Sequence, residues 1–259
     1  MIIAEGGMPS AWLMAATVLG GSVVAGGANA MNMYFDRDID EKMLRTQGRP
    51  VPSGQVEPEK AAFFGIALGV AGFVFMQVFV NPLAAFLTLF AFAFYVIVYT
   101  LILKRSTPLN IVIGGAAGAM PPVIGWAAIT NSIGLEAVLM FAIVTLWTPP
   151  HFWALSINYS SDYARAGVPM LPVVAGPDET KRQIFWYSVA LVAATMGLGV
   201  AGGAGALYFG AAAVLGGAFL YFAAKLWRSP SARESLALFR YSIAYLGLLF
   251  GAIAADTLI

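Results

Sequence analysis

The 259 residues include no cysteine and a single histidine, His151. The first absence excludes disulfides, thiolate metal centres and a cysteine nucleophile. Charge is also scarce: Asp, Glu, Lys and Arg make up 10% of the chain, against about a quarter of a soluble domain, while 60% is hydrophobic. The net charge of +1 gives no reason to expect a nucleic-acid partner. Met1 to Ser10 has no positive n-region, and the apolar run after it is too long for an h-region, so no cleavable signal is read.

What the chain has instead is apolar runs of spanning length. They cover Ala11 to Phe35, Ala61 to Val80, Leu83 to Leu103, Leu109 to Ile129, Leu135 to Ile157, Ile184 to Ala204, Tyr208 to Leu226 and Phe239 to Ala255. Each is near the ~20 residues that cross a bilayer as a helix. The expectation is an all-α, polytopic transmembrane bundle of eight spans forming a single domain over residues 1–259. The 14 Lys and Arg residues fall in four alternate connections: Asp36 to Lys60, Lys104-Arg105, Asn158 to Arg182, and Lys225 to Arg240. By the positive-inside rule those four ends are cytosolic and both termini face outward.

Glycine recurs inside the spans, as in Gly65-x-x-x-Gly69 and Gly114-x-x-x-Gly118. In lipid such residues let helix backbones approach, so they read as packing faces rather than phosphate loops. Two proline pairs, Pro121-Pro122 and Pro149-Pro150, predict bent or opened helices around a bundle cavity.

Asn32, Asp36 and Asp40 follow one another at four-residue steps where the first span meets its loop. On a helix each step turns about 400°, so the three share a face, and together they rise about 12 Å. That is long for one ion but suits two ions gripping a diphosphate; a solvated acidic patch at a helix end is the alternative. Asp38 lies about 240° round from Asn32 and is left out of the set. Asn158-x-x-x-Asp162 repeats the spacing of Asn32-x-x-x-Asp36, hinting at two four-helix halves. Three carboxylates and two amides make a hard oxygen set suited to Mg²⁺.

Longer motifs carry a resemblance. The segment from Asn32 through Asp36, Asp40 and Arg45 to Arg49-Pro50 resembles the first signature of the UbiA superfamily of intramembrane prenyltransferases, in its haem-farnesylating form. Lys104-Arg105-Ser-Thr107-Pro108, Trp147-Thr-Pro149-Pro150-His151-Phe152-Trp153 and Asp162-Tyr163-Ala-Arg165 look like the same subgroup. The resemblance implies transfer of the farnesyl group of farnesyl diphosphate to a vinyl group of haem b, with addition of water, in a bacterial inner membrane with the site facing the cytosol. It implies catalytic Asp36, Asp40 and Asp162, which with Asn32 hold Mg²⁺. Substrate contacts fall to Arg45, Arg49, Lys104, His151 and Asn158, with haem b as substrate rather than cofactor. Haem A synthase or a terminal oxidase in assembly is the implied protein partner.

His151 could ligate haem iron, bond a propionate, act as a base or satisfy carbonyls freed by the prolines. Arg45, Arg49 and Lys104 could equally be topology-setting charge. The family usually has nine helices with a Lys-Pro-Arg-bearing first one, so the expectation is that this first helix is absent here. Other readings keep the fold with a different aromatic or tetrapyrrole acceptor, or make the chain a transporter. A CDP-alcohol phosphotransferase is disfavoured, because its Asp-Gly-x-x-Ala-Arg motif is missing.

Overall fold

A computed structural model describes residues 1–229 and 231–259. Among the described residues there is no strand, and eight helices are long and apolar enough to cross a membrane. We label them α1 (Ala11–Phe35), α2 (Pro58–Phe79), α3 (Pro82–Ser106), α4 (Asn110–Thr130), α5 (Leu135–Asn158), α6 (Gly176–Ala201), α7 (Ala206–Arg228) and α8 (Ala232–Thr257). Short turns of helix over Ile2–Glu5, Arg37–Asp40, Ser160–Arg165 and Leu171–Val174 decorate their ends. The protein is a multi-pass membrane protein, with large apolar side chains such as Phe63, Val70, Phe86 and Val214 on its outer surface.

The eight spans match the sequence expectation in number and place. α6 and α8 begin earlier than their apolar runs, because polar turns precede them. Pro177 lies in the first turn of α6 with Asp178 and Glu179, where a missing N–H costs nothing and acids meet the positive helix end. Ser231 caps α8 by accepting from the Glu234 N–H at 3.2 Å. Hydropathy marks the hydrocarbon part of a helix and misses such extensions.

The proline pairs behave differently from each other. α4 breaks into Asn110–Gly118 and Met120–Thr130, with Pro121 and Pro122 in the first turn of the second piece. α5 runs unbroken through Pro149 and Pro150, both buried. Proline's φ suits a helix, and the segment stays helical although each ring lacks a donor and crowds the carbonyl four residues back. Nor do the prolines hold α4 and α5 apart: a Cβ on Gly115 would stand 2.9 Å from Thr148 Cγ2.

α1 packs on α2, α2 on α3 and α3 on α4; α5 joins α6 and α8 and thereby closes a ring with α7. α4 links the two groups by packing on α5. The first half is drawn tight by glycine: a Cβ on Gly27 would lie 2.6 Å from the Gly65 carbonyl oxygen. The second half is stitched by hydroxyls. Tyr208 donates to the Thr195 carbonyl at 2.8 Å, Thr195 and Tyr245 hydroxyls pair at 2.8 Å, and Tyr241 donates to the Leu215 carbonyl at 2.7 Å.

Candidate active site

Because the helices alternate in direction, the connections α1–α2, α3–α4, α5–α6 and α7–α8 share one end, and the basic residues gather there. α1 ends at Phe35, and Asp36 leaves helical geometry before the turn Arg37–Asp40. The four-residue register survives the break: the Asp36 N–H donates to Asn32 O, and the Asp40 N–H to Asp36 O, both at 2.8 Å. Asn32, Asp36 and Asp40 are all buried, Asp36 completely.

A buried carboxylate must be paired or hydrogen-bonded, and each one here has a cation beside it. Asp36 Oδ2 takes a very short contact from Lys104 Nζ at the end of α3, and a bond from Asn32 Nδ2 at 2.6 Å. Asp40 pairs with Arg49 at 2.8 Å. Asp162, in the short helix Ser160–Arg165, pairs closely with Arg165 one turn on. The oxygen donors thus interleave with Lys104 and Arg49, the cations expected to contact substrate, through diphosphate oxygens or haem propionates. Asp36 Oδ1 remains buried without a hydrogen-bond partner, with Arg105 Nη2 3.7 Å away. Among the described residues no three acidic or histidine side chains converge as a single metal cluster.

α3 supplies a feature the sequence did not signal. Phe94–Leu103 is π-helix, and Thr100, fully buried, donates to the Tyr95 carbonyl five residues back at 3.0 Å. The same hydroxyl accepts from Asn32 Nδ2 at 3.1 Å. Both amide hydrogens of Asn32 are therefore committed, one to Thr100 and one to Asp36, which fixes the amide and leaves its oxygen without a protein donor. A threonine in an apolar run was the available clue, shared with Thr88 of the same span.

The two long loops are tied together. Arg45, exposed, donates to the Tyr163 hydroxyl at 3.4 Å and lies 6.0 Å from the Tyr159 ring centroid. Arg165 Nε donates to the Lys42 carbonyl at 3.0 Å. Burial raises the Tyr163 phenol pKa, while Arg45 pulls the other way. Asp38, left out of the metal set, faces elsewhere: Arg105 grips it through two bonds of 2.7 and 2.8 Å and also donates to the Phe35 carbonyl. Those bonds hold the Asp38 carboxyl down at about 2. Arg105 is a clasp between α1 and α3.

Asn158 closes α5, and its Nδ2 is buried with no partner. Lys181, counted from sequence as a loop charge, is buried in α6 and bonded at 2.7 Å to exposed Asp178. His151 stands apart from the carboxylates, stacked between Trp147 and Phe239 with Nδ1 2.7 Å from Ser242 Oγ. At the opposite end of the bundle a cavity of about 670 Å³ is lined by Glu136, Asp256 and small residues and holds no Lys, Arg or His.

A model described as the UbiA prenyltransferase family matches residues 1–249. The chain is 52% identical over 242 residues to the protoheme IX farnesyltransferase of Parvibaculum lavamentivorans, covering 92% of this chain and 76% of that protein. It is 50% identical over 259 residues to the protein of the same name from Roseiflexus sp., with 100% of this chain and 48% of that protein covered. The chain thus spans about half the length of some curated relatives it matches. A UbiA homologue from Aeropyrum pernix superposes with a TM-score of 0.77 at 23% identity, over 99% of this chain and 93% of that one. Another, from Archaeoglobus fulgidus and bound to GPP and Mg²⁺, superposes with a TM-score of 0.68 at 16% identity, over 98% and 94%. At such identities the likeness is one of fold.

Proposed function

The chain belongs to the UbiA prenyltransferase family, and we propose that it joins the farnesyl group of farnesyl diphosphate to a vinyl group of haem b, adds water and releases diphosphate. The product is haem O, and residues 1–259 act as one transmembrane domain. The observation that carries this reading is the set of buried carboxylates Asp36, Asp40 and Asp162 at one end of the bundle, each locked to a cation. The haem acceptor rests on the name of relatives about half identical to this chain.

An all-oxygen donor set and the orphaned Asp36 Oδ1 fit a hard divalent cation. Asp36, Asp40, Asp162 and the Asn32 oxygen would hold Mg²⁺, whose charge stabilises the leaving diphosphate when bound. The chain's own residues do the rest. Arg49 and Lys104 exchange carboxylate oxygens for phosphate oxygens, and Arg45 adds a guanidinium from the same loop. Asn158, with an unspent buried donor, bonds the same anion. His151 contacts haem b. Apolar helices exclude water from the allylic cation until the vinyl carbon attacks.

The basic end faces the cytosol of a bacterial inner membrane in this reading. Haem A synthase or a terminal oxidase in assembly is the partner that would take so apolar a product. Cysteines placed at Gln55 and Ser231 should then label only from the cytosolic side, and at Asn131 and Thr257 only from outside; mixed labelling removes the assignment. The reaction is tested by chromatography of haems from membranes expressing the chain. Haem O that appears with farnesyl diphosphate and disappears on chelation supports it. A prenylated quinone or other ring in its place transfers the chemistry to another acceptor.

A further inference from the structure

Ser242 has one hydroxyl proton and two hydrogen bonds to make. Its Oγ lies 2.6 Å from the Phe239 carbonyl oxygen and 2.7 Å from His151 Nδ1. A carbonyl only accepts, so the serine proton is committed to Phe239. The contact with His151 must then be donated by the imidazole, which places a proton on Nδ1. In the neutral ring Nε2 is left bare, as an acceptor with no proton of its own.

Stacking on both faces holds the ring plane, and the contact with Ser242 Oγ selects the flip that brings Nδ1 there. Trp147 covers one face at 4.2 Å between centroids and 16° between planes, and Phe239 covers the other at 4.6 Å and 25°. Trp147 is itself pinned, since its Nε1 donates to the Ser242 carbonyl at 2.8 Å. One residue of α8 thus fixes both the imidazole of α5 and the indole stacked on it. Nε2 has no hydrogen-bond partner among the described residues, yet it is not among the enclosed unpartnered atoms, so it opens onto accessible space. A bare ring nitrogen held that way inside a membrane bundle is a functional position by default.

We propose that Ser242 is a positioning residue that holds His151 as its Nδ1–H tautomer and so presents the Nε2 lone pair as an acceptor. Resting on the farnesyl transfer above, that lone pair takes the proton released when water adds. The farnesyl C1 bonds to the terminal vinyl carbon as its C–O bond to diphosphate breaks. Water then bonds to the inner vinyl carbon and gives its proton to Nε2. No oxidant or reductant is needed.

His151 is the only histidine, so the whole chain carrying isotopically labelled histidine gives one imidazole to read by nitrogen NMR in lipid. The expected spectrum has a bare nitrogen coupled to both ring C–H protons, which is Nε2, beside a protonated Nδ1. Ser242→Ala should move the ring toward the Nε2–H form and lower kcat roughly 10- to 100-fold, less than the ~10²- to 10⁴-fold of losing a general base outright because the imidazole itself remains. The KM for farnesyl diphosphate should stay unchanged. Ser242→Thr should restore both tautomer and rate. An Nε2–H ring in the unaltered chain overturns the proposal even if Ser242→Ala does not fold, and so does a Ser242→Ala protein with full turnover. If the tautomer responds as expected in a chain that makes no haem O, the proton-acceptor role and the reaction fall while the Ser242 assignment stands.

Discussion

The two halves of the bundle end their first helices on one spacing, Asn32-x-x-x-Asp36 after α1 and Asn158-x-x-x-Asp162 after α5, and hold it by different means. In the first half the pair is fixed from outside its own helix: Thr100 takes the Asn32 amide and Lys104 takes Asp36, both from α3. In the second half Asp162 leans on Arg165 from the next turn of its own short helix, and Asn158 Nδ2 has no partner. A site fixed by tertiary contacts is preorganised, whereas one held by its own turn adapts at low cost. In the proposed reaction the first half would supply a rigid anchor for the ion and the leaving group, and the second an arm that completes it.

The largest expected effect separates these roles. Asp36→Ala and Asp162→Ala should each cost on the order of 10³-fold in turnover, the scale of removing one stabilising group from developing charge. Chelation should mimic both, with Mg²⁺ restoring the unaltered chain. Their stabilities should diverge. Removing Asp36 strands Lys104, 14% exposed, and should cost about 3 to 5 kcal/mol, as for breaking a buried pair. Removing Asp162 leaves Arg165, 49% exposed, still bonded to the Lys42 carbonyl, and should cost under about 1 kcal/mol. Denaturant unfolding in detergent decides it, and equal losses would erase the contrast between anchor and arm.

Packing offers a second contrast. Gly27→Ala puts a Cβ 2.6 Å from the Gly65 carbonyl and 3.0 Å from the Gly69 nitrogen, both backbone atoms that cannot swing aside. The first half should lose about 1 to 3 kcal/mol, as overpacked cores do. Tyr245→Phe removes only the hydroxyl shared with Thr195 and should cost about 1 kcal/mol. A larger loss from Tyr245→Phe would mean that the second half, not the first, is the tightly built one.

Thr100→Val tests the anchor without touching a charge. It deletes the acceptor that orients Asn32 and the bond to the Tyr95 carbonyl while keeping the branched shape. We expect about 1 kcal/mol of stability and roughly tenfold in turnover, recovered by Thr100→Ser. Lost stability with full turnover would make Thr100 a π-helix support only.

Much of this arrangement was legible in the sequence. Apolar length gave eight spans, and alternating Lys and Arg gathered the charged connections at one end. The four-residue steps carried Asn32, Asp36 and Asp40 because the hydrogen bonds continue through the break at Asp36. Contacts between distant positions were not legible. That Thr100 would meet Asn32 follows from a π register with no sequence mark, and that Ser242 would meet His151 follows from α5 packing on α8. The proline pairs divided: α4 breaks just before Pro121-Pro122, as the sequence led one to expect, while α5 stays helical through Pro149-Pro150.

The smallest expected effect belongs to Asp38, the one acid of this loop held by two bonds yet 54% exposed. Its folded pKa of about 2 lies below the ordinary 3.8, chiefly through the Arg105 hydrogen bonds. A depressed carboxyl contributes stability that is complete above its unfolded pKa and is lost as pH falls through the folded one. The difference in unfolding midpoint between the unaltered chain and Asp38→Asn should therefore be flat from about pH 8 to pH 5 and close as pH drops from about 4 to about 2. Because the pair is solvated, the plateau should be small and shrink in high salt. Turnover should not change, since Asp36 and Asp40 keep their hydrogen bonds from Lys104 and Arg49, and Arg105 stands 3.7 Å from Asp36 without a hydrogen bond to it. A large plateau, or a loss of turnover in Asp38→Asn, would move this exposed pair into the anchor.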